Sequence, residues 1–591
     1  MKKVKAITGI ISAVFILIGC SDFLDPEPRA KYSEMDAWKS VENTYLYING
    51  FYKPIYEYGP YGQKYADVSL HDGFSDILRY STNVMGGNGG DVNKVVYSGN
   101  ISPSGNILSD YQYEYNRIRR INEFLYGLET YAKYDKDVVK LMQAQARFFR
   151  AYLHFMLVRN HGSIVIRDYI DGPNEALKAR SPENECWDFI EKDLDFAAEN
   201  LPDEWDKNNF GRLTKGAVYG FKSRAMLYAK RWDKAAEAAQ KVVDKEGTLY
   251  GLLPDYADVF KQTDLCKETV LGYRFHGQLT HSILFDKLYS PKGDFPPKNT
   301  DVKCLAVPTQ EMVDSYYMAD GSKFDWENPE HKADPYKNRE ARFYASILYN
   351  GAPWKGRTIE TFVGGTDGFK EFGIDNHPNT TTTGYYIRKM INEKSDNMAQ
   401  KGITAWSEVR YAEVLLNQAE ALNEAGKSVE ALVPLNKVRQ RAKLPNVTET
   451  NQANLRQIIR EERKIELAFE GQRYWDLRRW RIALEVLGKK RMHGMKITKN
   501  ADDTFNYEIV DCDGKDRFFE ERYYQFPIPL NEIQNNPLCT QWVVLNFIQW
   551  NGKLIIPFLE KTIFSIAIYY LIVECVVCIF GDFHTVHPFF P

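Results

Sequence analysis

The chain has 591 residues, 44% hydrophobic and 26% charged, with 76 Lys+Arg against 79 Asp+Glu; at roughly 150 residues per domain it is long enough for several packed layers, and the composition excludes a disordered or fibrous protein. A net charge of −3 with no basic block excludes nucleic acid as the main partner. Aromatic residues make up 14% of the chain, and those in Gly-, Pro- and Asn-rich stretches are candidates for stacking on a ligand, while most of the rest must be core.

Lys2, Lys3 and Lys5 precede the apolar run Ala6 to Ile18, which has the layout of a secretory signal and is short for a membrane span. Leu17-Ile18-Gly19-Cys20 reads as a bacterial lipobox, predicting cleavage after residue 19 and lipidation of Cys20. Each buried CH₂ of an acyl chain adds about 0.8 kcal/mol of membrane attachment, so several chains anchor firmly. Residues 20–30, with Asp22, Asp25, Pro26, Glu27 and Pro28, form an acidic, extended tether.

Between Tyr58 and Gly90 the sequence is glycine-rich and ends in Gly86-Gly87-Asn88-Gly89-Gly90, which predicts a long irregular loop. Helices follow. Tyr111 to Leu128 is one; Ala144 to His161 carries Phe148, Ala151 and Phe155 on one face and stops at Gly162. Lys215 to Asp244 divides into two helices around Lys230-Arg231-Trp232-Asp233, lined by Phe221, Ala225 and Tyr228 and by Ala235, Ala238 and Val242. Small residues at such crossings are the signature of stacked tetratricopeptide-like hairpins. Tyr273 to Asn397 is again loop-rich, and Arg410 to Arg441 forms a further hairpin turning at Gly426. Long loops on a rigid helical frame are where function usually sits.

Glu462, Glu466 and Glu470 stand at i, i+4 and i+8 among Arg and Lys, the pattern of a salt-bridged helix face rather than of a catalytic carboxylate pair. Asp511-Cys512-Asp513-Gly514-Lys515-Asp516 has the acid spacing of a weak calcium loop but lacks the downstream glutamate, so a polar turn is the preferred reading and calcium is left open. Five of the eight cysteines (Cys186, Cys266, Cys304, Cys512 and Cys539) are scattered without pattern, which argues against a full disulfide framework. There is no His-Glu-x-x-His, no P-loop and no G-x-S-x-G elbow. Residues 542–591 change character, with an apolar run from Thr562 to Gly581; a frameshift or read-through extension is the preferred account, and a membrane anchor the alternative.

Glu462 to Trp480, read as Glu-Arg-Lys-Ile-Glu-Leu-Ala-Phe-Glu-Gly-Gln-Arg-Tyr-Trp-Asp-Leu-Arg-Arg-Trp, closely resembles the C-terminal hallmark of the SusD/RagB family of outer-membrane nutrient-binding lipoproteins. Ser21 to Asp25, Ala146 to Tyr152, Pro308 to Asp314, Asn338 to Phe343, Arg410 to Leu416 and Phe526 to Pro529 match in family order. The resemblance implies a mainly α fold, a tetratricopeptide-like helical hairpin scaffold with long loop-rich insertions. It implies a domain over residues 31–541, with an N-terminal part of about 31–230 and a C-terminal part of about 270–541. It also implies a lipid-anchored protein at the cell surface that binds oligosaccharide and delivers it to a SusC-like TonB-dependent transporter, with no enzymatic activity and no resident cofactor. The cargo does not carry over from the family, and some relatives take peptides. A surface glycoside hydrolase would need two carboxylates about 5 to 10 Å apart across a cleft, and no such pair is evident in the sequence.

Sugar rings stack C–H faces on flat aromatics while their hydroxyls need polar side chains within reach. Loop composition alone therefore nominates Asp72, Phe74, Arg79, Tyr80 and Asn83 in the first insertion and Trp354, within Asn350 to Gly356, in the second. Trp354 is the leading candidate.

Overall fold

Alternating large and small apolar residues at helical period build the scaffold, and the computed structural model shows how they stack. It describes residues 34–61, 71–80, 90–99, 101–172, 175–275, 280–282, 286, 289–295, 304–370, 380–394, 401–540, 548–550 and 553–555. Contacts divide the chain into two units, Met1–Thr540 and Gln541–Pro591. In the second unit a short antiparallel hairpin pairs Ile548–Trp550 with Lys553–Ile555. Cys20, the tether and Asn83 lie outside the described residues, as does nearly all of the tail. Among the described residues no helix is long and apolar enough to cross a membrane.

The first unit is mainly helical. Helix α1 (Val41–Asn49) is capped by Ser40, whose side chain accepts from Asn43 N. Helices α2 (Tyr111–Thr130), α3 (Lys136–His161), α4 (Glu183–Asn200), α5 (Lys215–Tyr228) and α6 (Trp232–Val243) pack each against the next. The stack continues from α6 onto α7 (Tyr411–Glu424), which in turn holds α8 (Ser428–Arg441) and α9 (Gln452–Glu466). Helix α3 begins at the Asp135 cap, nine residues before its apolar stripe at Ala144, and ends at Gly162, whose φ of 68° lets its N–H return to Val158 O. Strand β1 (Thr269–Tyr273) crosses α5 so closely that a Cβ on Gly220 would lie 2.6 Å from Val270 Cγ1, which explains glycine inside a helix where it costs about 1 kcal/mol against alanine.

The loop-rich insertions carry a second hydrophobic core. Leu78–Tyr80 pairs antiparallel with Ala306–Pro308, and a longer hairpin joins strands β2 (His493–Lys499) and β3 (Phe505–Asp511). Among the described residues the strands pair only in twos. Aromatic side chains fill this core where regular structure is sparse: Phe74, Tyr80, Trp354, Tyr385, Tyr386 and Trp475 are all buried.

A buried ionic network joins the two cores, and the glutamates read from the sequence as a salt-bridged helix face pair within it. Helix α9 ends at Glu466, and Phe469 and Gly471 take positive φ values of 63° and 77°, so Glu470 leaves the helix on a turn. Arg342 pairs with Glu340, Glu462 and Glu466 at 2.6 to 3.0 Å. Arg410 pairs with Glu268, Glu466 and Glu470, Arg441 with Glu268 and Glu466, and Lys389 with Glu470. Burial alone would raise the Glu466 carboxyl, but Arg441, Arg410 and Arg342 outweigh it and hold it well below the ordinary range. A charge pattern at i, i+4 looks the same whether its partners lie on its own helix or come from other elements, so periodicity announces the ion pairs without naming Arg342, Lys389, Arg410 or Arg441.

Candidate functional site

The residues nominated from loop composition sit in the second core, not on its surface. Asp72 is fully buried and accepts from Gly471 N at 2.9 Å and Arg473 N at 3.0 Å, tying the first insertion to the start of the helix Arg473–Arg479. Phe74 meets Tyr80 edge to face at 5.2 Å. Arg79 donates to Tyr80 O and Thr382 Oγ1 and lies 3.4 Å from Asp513. Trp354 is 2% exposed, and its Nε1 donates to Asp294 at 2.9 and 3.1 Å. The five positions are brought into one core, yet none offers an open ring face or a free rim group, so we correct their expected role from ligand contact to internal support. The physical reason is that a 14% aromatic chain must bury rings within irregular segments as well as within helices.

The turn at 511–516 is likewise fully engaged. Asp513 is held by Arg517, and Asp511 and Asp516 both by Arg491, at 2.8 Å. Carboxylates committed to guanidinium groups do not fit a calcium loop. Among the described residues no group of three or more His, Cys, Asp or Glu is placed to hold a metal. Among the described residues five cysteines are free thiols: Cys186, Cys266, Cys304, Cys512 and Cys539.

Among the described residues a groove with the dimensions of a ligand site lies elsewhere, at the start of α2. Its volume is about 610 Å³, within the range of small-ligand sites. One wall is the turn Ser102–Asn106, closed by reciprocal Ser102–Gly105 backbone bonds of 3.1 Å and by Leu108 N donating to Asn106 Oδ1 at 3.0 Å. A second wall is the first turn of α2, with Asp110 as its cap and Gln112, Tyr113 and Asn116 following. The third is the C-terminal segment from Pro527 to Glu532, including the start of helix α10 (Leu530–Asn535). Leu530 N donates to Pro103 O at 2.9 Å and so clamps the third wall to the first.

His161 and Tyr111 form the floor. His161 is the last residue of α3. Its Nδ1 lies 3.1 Å from Phe526 O, so that nitrogen carries the proton, and Nε2 accepts from Ser109 Oγ at 2.7 Å. Burial first, then the nearby Arg478 and Arg180, push its pKa down to about 3, so the ring is neutral at physiological pH. Tyr111 meets the His161 ring edge to face at 5.3 Å. Arg117 lies over one face of Tyr113 at 4.3 Å and pairs with Glu57 at 2.9 Å. The apolar surface of the groove comes from Leu530, from the rings of Tyr111 and Tyr113 and from the rings of Pro103, Pro527 and Pro529. Asn106 Nδ2 has no hydrogen-bond acceptor among the described residues. The arrangement is a shallow, oxygen- and amide-rimmed trough able to bind a polyhydroxylated ligand by many weak bonds.

Comparison with known proteins identifies the scaffold around this groove. A SusD family profile matches residues 268–544, and a second, described as starch-binding associating with outer membrane, matches 22–227. The chain belongs to the SusD family. A SusD-like protein of Formosa agariphila is 29% identical over 86% of this chain and 96% of its own. A SusD-like protein of Bacteroides fragilis superposes with a TM-score of 0.73 at 26% identity, covering 86% of this SusD-family chain and 98% of its own. A SusD-like carbohydrate-binding protein of the same species gives 0.72 at 25% identity, covering 85% and 99%.

The groove residues escaped the sequence reading because its walls lie more than 400 positions apart. Two signals could have found them: the Ser-Pro-Ser-Gly-Asn turn just before a helix cap, and the Phe526-Pro527-Ile528-Pro529 motif, which resembles the family but carries no chemistry of its own.

Proposed function

We propose that this protein is a non-enzymatic glycan-capture lipoprotein of the cell surface, anchored through Cys20, which binds oligosaccharide in the 102–116/527–532 groove and passes it to a SusC-like TonB-dependent transporter. The observation that carries this reading is the open groove of about 610 Å³ with its rim of Ser, Asn, Gln and acidic side chains, set on a scaffold whose family includes outer-membrane starch binders. A neighbour of 25% identity described as carbohydrate-binding supports it. Hand-over requires reversible capture, and a shallow trough of many weak bonds suits moderate affinity better than a closed pocket. Asp72, Phe74, Arg79, Tyr80 and Trp354 enter this reading as the internal frame of the insertions.

The test is calorimetric titration of the purified chain in detergent against a panel of oligosaccharides, followed by chromatography of the ligand. Saturable binding with intact ligand supports capture. Cleavage products would replace it with a hydrolase, and binding confined to peptides would replace the cargo.

A further inference from the structure

Taking the groove as the glycan site, a reading on which the present one rests, we propose that capture extends beyond it along the exposed face of α2 to a second contact at Tyr126 and Tyr131, so that the protein selects long linear oligosaccharides over short ones. Gln112 and Asn116 line the groove, and both stand exposed on α2. Steps of four and three residues carry the same face on through Arg119 and Glu123 to Tyr126, the spacing that keeps side chains on one side of a helix. At a rise of 1.5 Å per residue, Tyr126 lies about 21 Å along the axis from Gln112. The ridge between them is polar: Gln112 Nε2 donates to Asn116 Oδ1 at 3.4 Å, and Arg119 Nε donates to Glu123 Oε1 at 2.8 Å.

The far end of the ridge is aromatic and open. Tyr126 is 53% exposed and Tyr131 43%, and their rings meet edge to face at 6.3 Å. The backbone beneath them is fixed. Tyr131 caps α2, its N–H returning to Gly127 O at 2.8 Å, and Trp38 packs so closely on Gly127 that a Cβ there would lie 2.2 Å from Trp38 Cζ2. Rings held in water on a rigid base can take the C–H side of a sugar, while its hydroxyls reach the amides, guanidinium and carboxylate along the ridge. A chain seated in the groove carries its further units over α2, so the second contact forms within one complex and adds affinity at high effective concentration. A chain too short to span the distance gains nothing from it.

The experiment titrates the full chain in detergent with size series of linear α-glucan, β-glucan and β-mannan oligosaccharides, from disaccharides to chains longer than about 21 Å. Within a series that binds, affinity should rise about tenfold or more once the ligand spans from the groove to the tyrosine pair. Tyr126→Ala and Tyr131→Ala, at exposed positions that tolerate substitution, should each weaken binding of the long chains about threefold or more and leave the short chains unchanged. Tyr126→Phe, which keeps the ring, should keep the gain. Affinity independent of length, or a length gain that both alanine variants retain, would overturn the second contact while leaving glycan capture standing. Failure of every series to bind would overturn the capture reading and this one with it.

Discussion

Trp354 holds Asp294 through its indole nitrogen while Arg357 grips the same carboxylate from the side at 2.7 Å. Arg357 also reaches Asp367 at 2.6 Å, so one tryptophan and one arginine fix three separate segments of the second insertion. Trp354→Ala is expected to destabilise the protein by about 3 to 5 kcal/mol, the range for emptying a buried ring site. Trp354→Phe should cost less, keeping most of the volume and losing the hydrogen bonds. Urea unfolding of the two variants checks this; an alanine variant as stable as the parent would show that the ring is not structural.

Glu466 sits between Arg342, Arg410 and Arg441. Glu466→Ala leaves three guanidinium groups short of a buried partner and should cost about 3 to 5 kcal/mol. Because the network spans both cores, far-UV and near-UV circular dichroism should lose signal in one transition. A variant that loses only the near-UV signal would show that the helical stack stands without this link.

Three histidines are buried in neutral form, with pKa values lowered by burial to about 3 for His71 and His161 and about 4 for His154. The unfolded chain takes up protons near pH 6.5 that the folded chain refuses, so stability is full above about 6.5 and falls as the pH drops toward 3 to 4. Asp76 adds a further loss below about pH 4: burial raises its carboxyl, Arg473 outweighs burial, and the net value is about 2. Urea midpoints measured from pH 8 to pH 4 should decline steadily below 6.5. Replacing His154 by Gln should flatten that slope, and an unchanged slope would remove His154 from the account.

Leu530 is the first residue of α10, and its N–H serves the groove clamp rather than the helix. Leu530→Pro removes that one donor at a position where proline is tolerated, and the preceding Pro529 already has the extended ψ of 142° that a following proline requires. Stability should change by about 1 kcal/mol, while ligand affinity drops several-fold as the walls separate. Calorimetry and thermal melts on the same variant decide it; unchanged affinity would show that the clamp does not shape the site.

The helical hairpins were legible because Phe148, Ala151 and Phe155, or Ala235, Ala238 and Val242, repeat at a period only a packed helix satisfies. The insertions were legible as loops but not as a core. Phe74 and Trp354 lie in segments without period, where nothing in the order of residues separates a ring turned inward from one turned out. The ionic joint was half legible: Glu462, Glu466 and Arg463 announced a helix, while the partners Arg342, Lys389 and Arg410 come from elsewhere in the chain. The groove was the least legible part, since Asp110 and Glu532 are neighbours only after the last helix has folded back.

That return of the last segment has a consequence for biogenesis. Phe526 N bonds Asn160 O and Leu530 N bonds Pro103 O, so two walls made early in synthesis wait for a third that leaves the ribosome some 400 residues later. The helical stack is dominated by neighbours in sequence and can form first, so a chain interrupted between residues 466 and 526 carries every helix of the stack and still lacks the third wall of the trough.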